Sequence, residues 1–396
     1  MCCMHNLFVE LLQVSLGTRG GLSRVLSAVE WQSLYDEAQR QAIAGVLACG
    51  IERLSKEQQP PQAILLQWIG LTLQIEQRNK LTTKVCGEVV GQMEKDGLRC
   101  CVLKGQANHR YYPEGMANRR ACGDVDVWTV PAKSLEFRVE SLESVEKLKS
   151  SKSSTCQVLE YVDEHLERTG LCWLHCNFTD KSGVPVEVYL HLSFFSRPKY
   201  NKRFQSYFSD IERCVVRETI DGVEIPVMRV EEDVIYQMNH IYRHLIDEGV
   251  GLRQVVDYYW LLRRFQDSCF KFQKLAIDRE GIKEVVSWLG MRRFAGALMY
   301  VLRELLGMPE KYLLCEPSEK DGKFLMEEIL MSGNFGHGDP RMGDVAQGGY
   351  MKSRVSQAWR RFKRNMRFLS SYPGEVIWEP VVRVQHFAWK HLWVRG

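Results

Sequence analysis

The stretch GDVDVW, residues 123 to 128, constrains the fold more than any other part of the chain. Val125, Val127 and Trp128 favour a strand, and a strand turns successive side chains to opposite faces. Asp124 and Asp126 therefore share one face, and Val125 and Val127 the other. Two carboxylates side by side repel unless water reaches them or a cation lies between them. A strand end with one solvated face meets the first condition. A metal site meets the second.

The rest of the chain sets the frame. Its 396 residues suggest two or three domains, and 45% hydrophobic with 26% charged residues is ordinary for a globular protein. A net charge of +4 is too small to name a partner. The 13 cysteines include adjacent pairs, Cys2-Cys3 and Cys100-Cys101, that suit no disulfide framework, so a reducing compartment is expected. Cys172, His175 and Cys176 come nearest to a zinc pattern, but on one strand they would be split between faces. LFVELLQVSLG near the start carries Glu10 and lacks a basic lead, so no secretory signal is read. No run approaches the roughly 18 apolar residues of a membrane span. The expected location is cytoplasmic.

Residues 1–76 read as helices, with Gly50 a stop and Pro60-Pro61 a break. A helical pattern resumes from Ala63 as one long helix or two. RCCVLKG, from residue 99, reads as a buried strand ending in glycine, and QANHRYYPEG as a brief helix. Residues 131–156 are charged and Ser/Lys-rich, as in a loop. CQVLEYVDEHLERTG is amphipathic and closes at Gly170. LCWLHCNF and VPVEVYLHLSFF read as two strands, the second placing Glu187, Tyr189 and His191 on one face. Asp221-Gly222 signals a hairpin. From residue 230 the chain is helical again. Three segments are expected: 1–76 helical, 77–229 the core, and 230–396 helical with a basic tail.

The order from residue 77 resembles the core of the nucleotidyltransferase superfamily, the fold of DNA polymerase beta. The resemblance rests on Leu103-Lys104-Gly105, on YPEGMANRRACGDVDVW (112–128) and on the strand carrying Glu187. A bacterial branch described as an uncharacterised nucleotidyltransferase family is the closer match, through Leu-Lys-Gly, Tyr-Pro, an Arg four residues before the first aspartate, and Gly-Asp-x-Asp. RHLIDEGVGLRQVVDYYWLL (243–262) is also similar to its helical region. The fold implied is α+β, a small mixed sheet with flanking helices between N- and C-terminal helical segments.

The resemblance implies transfer of a nucleoside monophosphate from a nucleoside triphosphate, ATP included, to a hydroxyl-type acceptor, with release of pyrophosphate. It implies two Mg²⁺ ions, or Mn²⁺ in their place, held by Asp124, Asp126 and Glu187. Oxygen donors suit those ions. Lys104, Gly105, Arg120 and Gly123 are expected around the phosphates. The superfamily's usual serine after the glycine is Gln106 here, and its usual third aspartate is Glu187. The acceptor is unnamed by the sequence: small molecule, glycan, protein or RNA all remain open, as does the oligomeric state.

Two rival readings stay open. One is a non-catalytic nucleotide- or nucleic-acid-binding protein that retains the fold; Gln106 favours it, and the intact acidic trio opposes it. The other rests on the tail, where the last 46 residues hold ten Lys/Arg against two acids. WRRFKRNMRF (359–368) there suits RNA phosphates, anionic lipid or a plain solvated face. Tyr189 and His191 are weaker substrate-contact candidates. Arg243, His244 and Asp257 read as packing, surface or interdomain residues.

Overall fold

Period-two burial organises the sheet in the computed structural model, which describes residues 3–132, 154–270, 277–333 and 350–390. Seven strands form it: β1 (Leu98–Leu103), β2 (Val125–Pro131), β3 (Arg168–Leu171), β4 (His175–Thr179), β5 (Pro185–Tyr189), β6 (Val215–Ile220) and β7 (Val223–Met228), in the order β3-β4-β5-β2-β1-β7-β6. β2 runs parallel to β5, and β1 parallel to β7; the other pairs are antiparallel. The architecture is α+β with a mixed sheet and flanking helices.

Val102, Val125, Val127, Val186, Val188 and Val227 pack on one side of the sheet, beneath α4 (Gln62–Lys95) and α5 (Ser154–His165). Leu103, Trp128, Tyr189 and Met228 join a larger core on the other side. That core merges with the N-terminal helices α1 (Cys3–Leu16), α2 (Ala28–Arg40) and α3 (Ala44–Ile51). It also takes in the C-terminal helices, of which α8 (Val230–Asp247) and α9 (Leu252–Phe270) lie nearest the site. Between α5 and these come two short helices, α6 (Pro198–Tyr207) and α7 (Ile211–Cys214). Beyond α9 lie α10 (Arg279–Trp288), α11 (Arg292–Glu304), α12 (Glu319–Ser332), α13 (Tyr350–Phe368) and α14 (Pro373–Ala388).

Several expectations are corrected. The segment read as one helix up to Gly50 is two, broken at Ala42, whose φ is +55°; the second, α3, ends at Ile51, one residue past Gly50. A Cβ at Gly50 would stand 2.2 Å from Ser15 Oγ and 3.0 Å from the Leu11 carbonyl, so this glycine permits α1 and α3 to touch. Residues 62–95 form one helix, the first of the two alternatives, and it runs through residues 76 and 77. Gly170 belongs to β3 rather than to the end of α5. LCWLHCNF is not one strand but a tight hairpin, turning at residues 172–174. The Asp221-Gly222 hairpin forms, with φ of +49° and +79° as a two-residue turn requires. Most of the Ser/Lys-rich stretch expected as a loop, residues 133–153, lies outside the described residues.

Candidate active site

The three carboxylates meet because of strand register. Asp126 on β2 and Glu187 on β5 are direct partners in a parallel pair, so they point to the same face. Asp124, two residues before Asp126, points there too. One oxygen from each of the three lies within 4.8 Å of the other two. Asp126 is buried at 2% exposure, whereas Asp124 and Glu187 are half-exposed. Among the described residues this is the one group of three or more His, Cys, Asp or Glu side chains placed to hold a metal ion.

Lys104 is delivered to the group by a sharp turn. Its φ is +32°, that of Gly105 is +44°, and the chain passes from β1 into a 3-10 helix over Gly105–Tyr111. A Cβ at Gly105 would stand 3.1 Å from Cys122 Sγ, in a conformation L side chains rarely adopt. Lys104 Nζ lies 3.1 Å from Asp126 Oδ1. It also donates to Tyr189 Oη at 3.0 Å, and Tyr189 donates in turn to Glu187 Oε2 at 3.1 Å. His175 Nε2 stands 3.7 Å from Glu187 Oε2, and its Nδ1 is 2.6 Å from Asn177 Oδ1.

Lys104 and the His175 imidazole do not balance three carboxylates; burial disfavours charge on His175, yet Cys172 and Glu187 push it up to about 9. The Asp126 carboxyl is pushed up to about 8, by burial first and by Asp124 and Glu187, against the pull of Lys104. Burial disfavours the Lys104 ammonium, yet the Asp126 charge holds it above its ordinary value. Asp126 Oδ1 is buried and, the Lys104 ion pair aside, accepts no well-directed hydrogen bond among the described residues. An oxygen in that state suits a divalent cation, and three carboxylates are the hard donors that Mg²⁺ prefers.

Arg120 faces the same cleft, with Lys104, Asp124, Asp126, His240, Arg253 and Asp257 among its lining. Its guanidinium is already engaged. Nε and Nη2 donate to the two oxygens of Asp257 at 2.9 and 2.6 Å. Tyr112 Oη also donates to Asp257, at 2.7 Å. Burial opposes ionisation of Asp257, and Arg120 more than reverses that, holding the carboxyl below its ordinary range. Asn79 of α4 steadies the approach, its amide donating to the carbonyls of Asn118 and Arg120 at 2.7 and 2.8 Å.

Gly123 is exposed, and a Cβ there meets nothing within 4 Å. Gln106 is buried, and its Oε1 accepts from the Cys122 thiol at 2.6 Å. His191 stacks on Trp173 at 4.3 Å, away from the trio, and Arg243 is buried against Glu375 and Asp247. Cys172 and His175 come together across their turn, the His175 N–H donating to Cys172 Sγ at 3.4 Å, while Cys176 is buried in the other core.

Sequence reasoning passed over Asn79 and Tyr112, and His175 as a neighbour of Glu187. Hairpin pairing was the signal available for the last, since Asn177 lies opposite Glu187 and His175 opposite Tyr189.

A comparison with curated protein sequences finds no match. Among solved structures, the chain is similar to an antigenic nucleotidyltransferase-like protein from Paracoccidioides brasiliensis. The two are 12% identical, the TM-score is 0.30, and the likeness covers 57% of this chain and 92% of that one. The model of the family described as "Uncharacterised nucleotidyltransferase" matches residues 27–307, well over half of the sequence, and the chain belongs to that family.

Proposed function

We propose that the chain transfers a nucleoside monophosphate from a nucleoside triphosphate to a hydroxyl-type acceptor and releases pyrophosphate, with Asp124, Asp126 and Glu187 as the metal ligands. The observation that carries this is the convergence of three carboxylates within 4.8 Å, in excess of the cations beside them, in a member of a nucleotidyltransferase family. Divalent ions there supply charge neutralisation between phosphates and carboxylates and lower the pKa of a bound hydroxyl.

The chain's own groups do the rest. Asp126, the buried one of the three, would hold a bound cation in place. Glu187, half-exposed and steadied by Tyr189, is placed to take the acceptor's proton. The acceptor oxygen forms a bond to the α-phosphorus, and the bond from that phosphorus to the pyrophosphate oxygen breaks. Lys104 stands beside the carboxylates as a phosphate partner. Arg120 contributes through its pairing with Asp257, by fixing the loop that leads into β2. The cleft that Asp124 and Asp126 line with Arg120 and Asp257 has a volume of only about 30 Å³, room for little more than water. The nucleotide's body therefore lies over the open side, where Asp124 and Glu187 are accessible.

Calorimetry of the full chain with each of the four ribonucleoside triphosphates tests this, with and without Mg²⁺. Binding of at least one triphosphate that needs Mg²⁺ and vanishes in Asp124→Asn is expected. Equal binding with and without the metal, or none, would sink the reading.

A further inference from the structure

We propose that the helical hairpin of α13 and α14 docks on an anionic lipid surface. The proposal stands apart from the nucleotidyl transfer reading, since none of its residues touches the acidic trio.

The observation is an exposed face whose composition is one-sided. On α13, Trp359, Phe362 and Met366 recur at helical spacing, and so do Ile377, Val381 and Val384 on α14. These six side chains are 43 to 67% exposed. At about 100° per residue, the α13 set falls opposite the buried Arg364 and Phe368. The α14 set falls opposite the buried Glu375 and Glu379 by the same measure. Each stripe thus points away from the protein body.

Charge decides what covers such a face. Residues 350–390 contain two acids, Glu375 and Glu379, and both are buried, at 3 and 5% exposure. Glu375 is spent on Arg243 and the Ser196 N–H, and Glu379 on Arg383 and Asn365. The described surface of the hairpin therefore presents no carboxylate. Beside the stripe it presents Lys363, whereas Arg361 and Lys390 lie on the other side, in a cleft with Asp247 and Glu248. Lys363 Nζ lies 5.6 Å from the Trp359 ring, so cation and aromatic project together. Apolar side chains flanked by a lysine and by no exposed carboxylate of the described hairpin, on helices too polar to cross a bilayer, are the pattern of an element lying in the headgroup plane.

RNA fits the face less well. Its phosphates match the cations and its bases would stack on Trp359 and Phe362, but Met366, Ile377, Val381 and Val384 offer a nucleic acid no contact it needs. Aliphatic side chains have a partner in acyl chains.

The test is co-sedimentation of the full chain with vesicles at physiological salt. One set is phosphatidylcholine alone; the other has a third of it replaced by phosphatidylglycerol. Sedimentation with the anionic set and little with the neutral set is expected. The triple variant Trp359→Ser/Phe362→Ser/Val384→Ser should cut partitioning about tenfold or more, because buried apolar area drives insertion. Lys363→Glu should cut it by more than about fivefold, the attraction of one cation near such a surface, because it also adds a carboxylate that the surface repels. A thermal melt confirms folding for each, and Lys363→Glu keeps the test open should the triple variant misfold. Absence of the wild type from anionic vesicles overturns the proposal, and so does equal binding of wild type and both variants. Binding to single-stranded RNA that Lys363→Glu abolishes, with vesicles left unbound, assigns the face to nucleic acid instead.

Discussion

Two clusters of charge share one cleft, and they are built on opposite plans. The Arg120–Asp257 pair is closed. One guanidinium edge, Nε and Nη2, meets both carboxylate oxygens, Tyr112 supplies a further donor, and both residues are buried. The Asp124–Asp126–Glu187 group is open. It sets three carboxylates against Lys104 and His175 and, among the described residues and the Lys104 ion pair aside, leaves Asp126 Oδ1 without a well-directed donor. Closed pairs hold a fold in one arrangement and are badly disrupted when one partner goes. Open groups are held together by the surrounding strands despite their charge, and they gain from whatever cation arrives. Proximity in the cleft therefore does not make Arg120 and Asp126 parts of the same device.

The largest effect that would break this contrast is on activity. Asp126→Asn keeps the size and removes the charge, and transfer should fall by about 10²-fold or more, measured by pyrophosphate release once an acceptor is found. In chelator its melting temperature should hold or rise, because repulsion with Asp124 and Glu187 is relieved. Full activity in a variant that melts lower would place Asp126 in a closed pair after all. Asp257→Asn should do the reverse. It strands a buried Arg120, and a loss of about 3–5 kcal/mol in denaturant unfolding is expected. A stability change under about 1 kcal/mol would show that the pair is not the brace its geometry suggests.

Metal separates the clusters at smaller amplitude. At a concentration about 100-fold above its dissociation constant, a ligand that binds only the folded state stabilises by about 2.7 kcal/mol. Mg²⁺ should raise the melting temperature of the wild type and of Asp257→Asn, but not of Asp126→Asn. An equal shift in all three would put the ion elsewhere.

The two clusters also differ in sign with pH. Asp257 is held below its ordinary value, so its contribution is present above the unfolded value of about 3.9 and lost as pH falls through the folded one. Asp126 is pushed up to about 8. In chelator its contribution is full below about pH 3.9 and is lost as pH rises through about 8. Asp126→Asn should remove the alkaline loss and leave the acid one. Retention of the alkaline slope in that variant would assign it to another group.

Much of the site was legible because strands are regular. Period two put Asp124 and Asp126 on one face, and the same rule picked out Glu187 from VEVYL. The alternating partition of Val125, Val127, Val186 and Val188 from Trp128 and Tyr189 follows from it. Contacts across the chain were less legible. Asp257 lies 137 residues from Arg120 and sits on a helix whose spacing carries no trace of that partner. Gly50 marked the helix end to within a residue, but its second use, letting α1 and α3 touch, leaves no separate trace in sequence. LCWLHCNF misled because strand propensity persists through a tight turn that lacks Gly, Pro, Asn or Asp.

The smallest expected effects concern the two glycines, and they sharpen the contrast at backbone level. Gly105 carries a positive φ and lies against Cys122, in the turn that brings Lys104 to the trio. Gly105→Ala should cost about 1–2 kcal/mol from the left-handed backbone alone, read by denaturant unfolding. Gly123 has no positive φ and open space around its Cα, so Gly123→Ala should change stability by less than about 0.5 kcal/mol. Its use, if it belongs to the open cluster, is to let a phosphate come close to the backbone beside Asp124. In that case Gly123→Ala weakens triphosphate binding in calorimetry while the unfolding curve stays put. Should both measurements stay put, Gly123 is an ordinary surface residue and the phosphates are held by Lys104 and the metal ligands without it.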